Sequence, residues 1–417
     1  MLLKKLIRFI KDGWSILGIA LIMLVMIELV FSLTFYIRSY WHPPAPNFRI
    51  NADTYSDHAW AAQYYDEIDQ IEKKRSLRWK SYVYWRRMPR RGTYINITPD
   101  GLRKTSGVTA SEGTGPTMKV FMFGGSTMWG YGAGDDFTIP SIFAREAKTR
   151  GVDCETVNFG QYAYVNTQGV IELMTQLQKG NIPDAVIFYD GVNDTFGAFQ
   201  LSLPGLSHDE ISREKEFGLL KRKEIRTFAI QSEINDLSTV RFLNGVLKSL
   251  GLRRDNFQSI PMEYEIQISD RKALAHAVVD TYLNNFKVVR ALAESYGFKF
   301  MFYWQPVIYM KKHLTEYERK SLELDVSYPG LQEFYVDTYD YLRQRAEDLK
   351  GVTTFHDISS IFGDDHQPIF VDFNHMGDKG NTLIARRMVE DYVGILKESG
   401  KSVKRSDARE RLADLAK

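Results

Sequence analysis

Only one cysteine, Cys154, occurs in 417 residues. That excludes an internal disulfide and a cysteine-based metal cluster, and leaves the compartment open, since exported proteins can lack disulfides. Cys154 falls in a β-prone run, where a buried structural thiol is expected. Charge of one sign is also missing. Lys and Arg number 54 against 52 Asp and Glu, a formal charge of +2, so no basic field marks a nucleic-acid protein. Internal repeats are absent, and so are long apolar runs except for one near the N-terminus. What is there is globular: 44% hydrophobic and 25% charged residues, enough for a sizeable core. The length predicts one large domain plus appendages.

The exceptional apolar run is Trp14 to Ile37, with Glu28 as its only charge. About 24 residues at ~1.5 Å rise cover the bilayer core with some tilt. Lys4, Lys5, Arg8 and Lys11 precede it and only Arg38 closely follows. The positive-inside rule then puts the N-terminus in the cytoplasm, makes the chain single-pass in the inner membrane, and sends the rest to the periplasm or the exterior. A cleaved signal peptide and a buried soluble helix are the alternatives. Glu28 is expected at the interface or against a partner helix.

His42-Pro-Pro-Ala-Pro46 reads as a stiff linker. Residues 50–90 read as helical, with Trp60, Tyr64, Tyr65 and Ile68 at helical spacing. Arg75 to Arg91 interleave cations with Trp79, Tyr82, Tyr84 and Trp85, a pattern open to base stacking, a headgroup-facing or glycan-contacting surface, or a solvated face. After the Gly/Ser/Thr-rich stretch from Thr105 to Pro116, strands and helices alternate. Strands are predicted at 119–123, 155–159, 185–189, 299–303 and near 352–356, and helices near 139–150, 167–178, 270–296, 335–349 and 378–397. Such alternation means a parallel sheet with helices on both faces. The organisation is thus 1–40 cytoplasmic end and membrane helix, 41–117 linker and juxtamembrane region, 118–400 main domain, and 401–417 charged tail. The alternation lapses at about 200–265, an insertion that reads as a lid, a docking element or a solvated excursion.

Four pieces lie at or just after carboxyl ends of predicted strands, where open α/β sheets bind ligands. Lys119-Val-Phe-Met-Phe-Gly-Gly-Ser126 ends in a glycine turn that presents Ser126. Asn158-Phe-Gly160-Gln-Tyr-Ala163, Gly191-Val-Asn193-Asp194 and Asp372-Phe-Asn-His375 are the others. A serine hydroxyl needs an adjacent base, which His375 can be, and Asp372 can hold the other imidazole nitrogen. A tetrahedral oxyanion needs fixed donors: the Ser126 N–H, a main-chain N–H from the second piece, and the Asn193 amide. Asp194 reads as structural. His356 beside Asp357 and His366 in Asp364-Asp-His366 are weaker candidates, the latter as a metal-binding or plain surface turn.

These four pieces, in this order, resemble the blocks of the SGNH, or GDSL-like, hydrolase family. The Asp-x-x-His spacing at 372–375 and Gly-x-Asn-Asp at 191–194 are the specific parts. Gly-Gly-Ser-Thr stands in place of the family's Gly-Asp-Ser, a variant found in membrane-linked members. Counted from Asn158, the family's donor glycine falls on Ala163, with Gly160 three residues earlier; Ala163 can donate at negative φ. The resemblance implies a three-layer α/β/α flavodoxin-like sandwich with no metal and no cofactor. It implies a serine esterase acting on acyl esters, with acetyl on a cell-envelope glycan expected, or an O-acyltransferase working beside a multi-spanning membrane acyl donor. A non-catalytic glycan-binding or scaffold subunit is the reading from another class.

Overall fold

Strand β3 (Met118–Gly124) explains the layering. In the computed structural model Val120 and Met122 point to one side of it and Phe121 and Phe123 to the other, and all four are buried. A strand apolar on both faces needs cover on both. The structure describes residues 2–41, 47–55, 59–73, 76–107, 117–211, 213–214, 226, 230, 233–235, 237–250, 268–325, 328–347, 349 and 351–399.

Strands β4 (Cys154–Asn158), β5 (Ala185–Asp190), β6 (Lys299–Trp304) and β7 (Phe355–Asp357) join β3 in one parallel sheet, in the order β4-β3-β5-β6-β7. Counted from β3, that is the 2-1-3-4-5 order of flavodoxin-like sheets. One face carries α5 (Asn166–Gln178) and the helices Arg271–Tyr296 and Leu331–Glu347 over Phe121, Phe123, Phe188 and Phe302. The other carries α4 (Ile139–Thr149) and the helix Asp378–Ser399 over Val120, Met122, Ile187 and Tyr303. Each such fully buried side chain contributes ~1.5–3 kcal/mol. Local signals set the ends. Thr138 caps α4 by accepting from the Ser141 N–H, and Asp270 caps the Arg271 helix at the Ala273 N–H, 2.7 Å away. Cys154 is buried, and burial with Asp153 and Asp184 pushes its thiol up to about 12.

The region expected to be helical over residues 50–90 is only partly so. Helix α2 (Ala61–Lys73) is followed by an antiparallel hairpin, β1 (Leu77–Lys80) with β2 (Tyr84–Arg87). Tyr82 and Tyr84 take φ of +70° and +74°, which no helix accommodates, and Trp79 pairs with Trp85 across the ladder. Arg86 and Arg87 turn inward. Arg86 Nη2 lies 2.8 Å from Glu172, and the Arg87 guanidinium sits 4.0 Å from the centre of the Tyr162 ring. Tyr64, Tyr65, Ile68, Ile71, Ile95 and Ile97 form a third core that packs on Trp129, Tyr131 and Val371. From Asn47 onward this region belongs to the same compact unit as the sheet.

A smaller unit groups Met1–Pro46 with Ile211–Gln258. Helix α1 (Leu2–Trp41) contains a segment long and apolar enough to cross a membrane. The helix Ser238–Ser249, from the insertion, packs on α1 with Phe242 stacked on Phe31 at 4.6 Å. Glu28 accepts from the backbone N–H groups of Ser238 (2.6 Å) and Thr239 (3.0 Å) and from the Thr239 hydroxyl (2.7 Å). A carboxylate placed there satisfies the orphan donors of a helix N-terminus. The partner of Glu28 is therefore in its own chain. The proline linker at 42–46, residues 108–116 of the connector, most of 215–267 apart from this helix, and the tail from 401 lie outside the described residues.

Candidate active site

The topology brings the first and third sheet strands side by side, and the chain leaves them in opposite directions. That switch point opens a crevice at their carboxyl ends. Ser126 follows β3 there, as the first residue of the single-turn helix α3 (Ser126–Trp129). Asn193 follows β5, near the start of α6 (Val192–Leu201). Two glycines make the approach possible. A Cβ on Gly124 would lie 2.5 Å from the Tyr189 carbonyl oxygen, and one on Gly125 would lie 2.2 Å from Asn193 Nδ2. The Asn193 amide thus rests directly against the residue preceding Ser126.

His375 and Asp372 come from the loop between the bridge residues Phe370 and Met376. Ser126 Oγ is 2.6 Å from His375 Nε2. His375 Nδ1 lies 2.8 Å and 2.9 Å from the two Asp372 oxygens. Ser126 is 8% exposed and Asp372 only 1%. Asp372 also accepts from the backbone N–H groups of Asn374 (3.2 Å) and His375 (2.8 Å) and from Arg49 Nε (2.8 Å). Burial pushes the Asp372 carboxyl up, but His375, Arg49 and the backbone donor outweigh it and hold it well below the usual carboxylate range. Tyr131 packs on the imidazole with ring centres 4.4 Å apart.

The sequence gives no local sign of Arg49, which lies 323 residues from Asp372. Its guanidinium is the one cation on the triad carboxylate among the described residues. Because the Asp372 pKa is depressed, its stabilisation is present above the unfolded carboxylate pKa of about 3.9 and is lost as pH falls through and below it. Arg49→Met should therefore cost ~1.5–3 kcal/mol at pH 7, the worth of a charge-assisted hydrogen bond. The gap to wild type should persist at pH 4 and close only as pH falls through the depressed folded-state pKa of Asp372, below the usual carboxylate range. Denaturant unfolding at pH 7 and pH 4 measures it, and no gap at pH 7 would show that Arg49 does not stabilise the Asp372 carboxylate.

Glu318, too, gave no signal in the sequence. Its fully buried carboxylate takes Lys311 Nζ at 2.6 Å and the N–H groups of Ile369 (3.0 Å) and Phe370 (3.1 Å). It staples the start of the Asp372–His375 loop to the helix Glu316–Asp325. Glu318→Gln leaves the buried Lys311 charge unpaired. Such a break costs ~3–5 kcal/mol, readable as a shift in the denaturant midpoint. A change below about 1 kcal/mol would mean that Lys311 finds another anion.

The second loop refines the expected donors. The Gly160 N–H donates to Asn158 Oδ1 at 2.9 Å, so it is spent and leaves the set of oxyanion donors. The Asn158 amide in turn ties the loop to the Met128 carbonyl at 3.0 Å. Ala163 stands at φ +58°, not at the negative φ expected for it. That left-handed region costs an alanine ~1–2 kcal/mol, which is why a glycine suits the position. The next residue, Tyr164, accepts from Asn193 Nδ2 at 2.8 Å, so the second and third pieces are joined. One of the two Asn193 amide hydrogens remains for another acceptor.

Beneath Asn193 lies a buried carboxylate pair. Asp194 accepts from the N–H groups of Asn166 (2.9 Å) and Gly191 (3.1 Å), which fixes the turn carrying Asn193. Asp190 accepts from Asn166 Nδ2 at 2.9 Å. Burial raises both carboxyls above their ordinary range, Asp190 further because Asp194 faces it. The two other candidate histidines pack on aromatic rings. His356 stacks on Tyr303 at 4.7 Å, and burial pulls its imidazole below the ordinary range. His366 stacks on His313 at 3.9 Å, while Asp364 in its turn pairs with Lys312 at 2.8 Å.

Fold and site together define a class: a flavodoxin-like α/β sheet presenting a serine, a histidine and an aspartate in hydrogen-bond contact at its switch point. No family model and no curated protein matches the sequence. Similar solved structures include a member of the lipolytic protein G-D-S-L family from Veillonella parvula, at 12% identity and TM-score 0.34, over 66% of this chain and 99% of that one. An acetyl xylan esterase is similar at 13% and 0.35, over 66% and 98%. A catalytic mutant of an acetylxylan esterase from Geobacillus stearothermophilus is similar at 11% and 0.33, over 67% and 95%. At such identities and scores these neighbours lend the chain no activity, and its chemistry is read from its own residues.

Proposed function

We propose that this chain is a membrane-anchored serine esterase of SGNH type, cleaving acyl esters, acetyl foremost, on a cell-envelope glycan. The observation that carries the reading is the continuous relay from Ser126 Oγ through His375 (2.6 Å) to Asp372 (2.8 Å). In this mechanism Ser126 attacks the ester carbonyl carbon while its proton passes to His375 Nε2. The tetrahedral oxyanion takes hydrogen bonds from the Ser126 N–H and the free amide hydrogen of Asn193, with Ala163 N–H the remaining candidate of the second loop. His375 returns the proton to the leaving alcohol, and an acyl-Ser126 ester remains. Water, activated by the same imidazole, then releases the acid. Asp372 holds the imidazole in the tautomer whose Nε2 can accept.

The test is twofold. A fluorophosphonate should label Ser126 in the wild-type chain, and acetylated glycan should lose acetate. Absence of label would favour the non-catalytic binding or scaffold reading. The near-burial of Ser126 favours a second reading, O-acyl transfer, in which a sugar hydroxyl replaces water and a multi-spanning membrane protein supplies the acyl group. Product sugars that gain acetyl from a labelled donor would select it over hydrolysis. The apolar segment of α1 and its basic N-terminal flank support the single-pass placement, with the catalytic domain outside the cytoplasm.

Asn193→Ala should lower kcat by ~10²–10³ with little change in KM, since the donor acts on charge that develops only in the transition state. Steady-state kinetics on an aryl acetate measure this. A loss below tenfold would remove Asn193 from the oxyanion hole.

A further inference from the structure

A second cavity, of about 370 Å³, opens beside the edge strand β4, between the hairpin β1–β2 and the end of α5. It is not the crevice of Ser126. Lys119 and Glu155, which line it, are the second residues of β3 and β4, whereas Ser126 lies beyond the last residue of β3. Five cations line it: Arg78, Lys80, Arg86, Lys119 and Lys179. Two carboxylates, Asp100 and Glu155, line it as well and are both exposed. Five positive against two negative leaves an excess of +3 on the lining, in a chain whose formal charge is only +2. Glu172 stands behind Arg86 at 2.8 Å and offsets one of these charges.

Several of these groups are held in place. The Arg86 side chain is 3% exposed, and its Nε finds no hydrogen-bond acceptor among the described residues. Arg78 Nη2 is tied to the Pro99 carbonyl at 2.6 Å, and Lys119 Nζ to Asn181 Oδ1. The Lys80 ammonium is pulled below its ordinary range by burial, and by Arg86, Lys179 and Arg78 against the opposing charge of Glu172. Like charges gathered at a concave surface with an unanswered buried donor favour an anion. Phe121 and Phe159 lie behind this lining, buried in the core, and the amides of Gln176 and Asn181 bond each other, Glu172 and Lys119, so the open wall is charged and polar.

We propose that this cavity binds a small anion, the phosphoryl or carboxylate group of a molecule such as an anionic sugar. The anion would sit among Lys80, Lys179 and Arg86. The site is independent of the relay at Ser126, so it stands or falls separately from the esterase reading.

The experiment is reductive methylation of the full chain in detergent micelles, with lysine modification rates read by mass spectrometry. The probes are glucose 1-phosphate and the methyl glycoside of glucuronic acid, with methyl glucoside and sodium chloride of matched ionic strength as controls. Either anionic sugar should slow modification of Lys80 and Lys179 about tenfold at ten times its dissociation constant. The neutral glycoside and the salt should not. Protection by one anionic sugar alone assigns the charge type. Lys80→Met and Lys179→Met, both at the rim, should each weaken binding by about tenfold in calorimetry. Equal modification rates with both anionic sugars and with salt, or unchanged affinity in both variants, would overturn the site. Fluorophosphonate labelling of Ser126 in the same samples reports the esterase reading separately.

Discussion

Ser126→Ala is expected to lower kcat on an aryl acetate by ~10⁴–10⁶ and to abolish fluorophosphonate labelling, with the fold intact. The size follows from what the hydroxyl does. Without Oγ there is no acyl-enzyme, and His375 has nothing to deprotonate but water. Whatever rate remains comes from the oxyanion donors and substrate binding, which the substitution leaves in place. The fold should survive because the Ser126 contacts that shape the turn are made by its backbone. Its carbonyl accepts from the N–H groups of Gly130 (3.0 Å) and Tyr131 (2.9 Å), and alanine keeps both. His375→Ala should give a loss of similar size. Turnover within tenfold of wild type in Ser126→Ala, with a normal thermal midpoint, would sink the nucleophile assignment.

The sheet was legible because its signals are local. Strands β3, β5 and β6 are short apolar runs with β-branched or aromatic residues, and length and pattern alone fix their place. Expected and observed bounds differ by a few residues, most at β7, where only Phe355–Asp357 pairs. Ser126 and Asn193 could be singled out because each follows a strand directly, and Asp372 and His375 by their Asp-x-x-His spacing, although β7 ends well before them at Asp357. Two residues, Arg49 and Glu318, were hidden by distance along the chain. Nothing near Arg49 announces a carboxylate 323 residues away, and nothing near Glu318 announces the N–H groups of Ile369 and Phe370. The hairpin β1–β2 was hidden by the helical spacing of Trp60, Tyr64, Tyr65 and Ile68, which belongs to α2 and stops at Lys73. The donor of the second loop was hidden by backbone conformation. Gly160 looked available until its N–H met Asn158, and Ala163 occupies a φ that its side chain does not advertise.

Asp372→Asn is expected to lower kcat by about 10⁴ while leaving Ser126 and His375 in place. Among the described residues, every hydrogen-bond partner of the Asp372 carboxylate donates to it: two backbone N–H groups, His375 Nδ1 and Arg49 Nε. An amide has only one acceptor oxygen, so its NH₂ must face a donor wherever it points. If the oxygen stays with the backbone pair, the NH₂ meets Arg49 and the imidazole. His375 then accepts at Nδ1 and carries its proton on Nε2, where it can no longer take one from Ser126. The same clash costs stability, because Arg49 loses its anion. That cost, unlike the tautomer, can be relieved. Arg49 is 20% exposed at its side chain, and Arg49→Met removes the donor outright. In the double variant the stability penalty should fall below the sum of the single penalties, while the rate stays at the Asp372→Asn level. Measuring both quantities across the four proteins separates the two roles of the carboxylate. If Arg49→Met restored the rate of Asp372→Asn, electrostatic balance and not the imidazole tautomer would be what Asp372 controls.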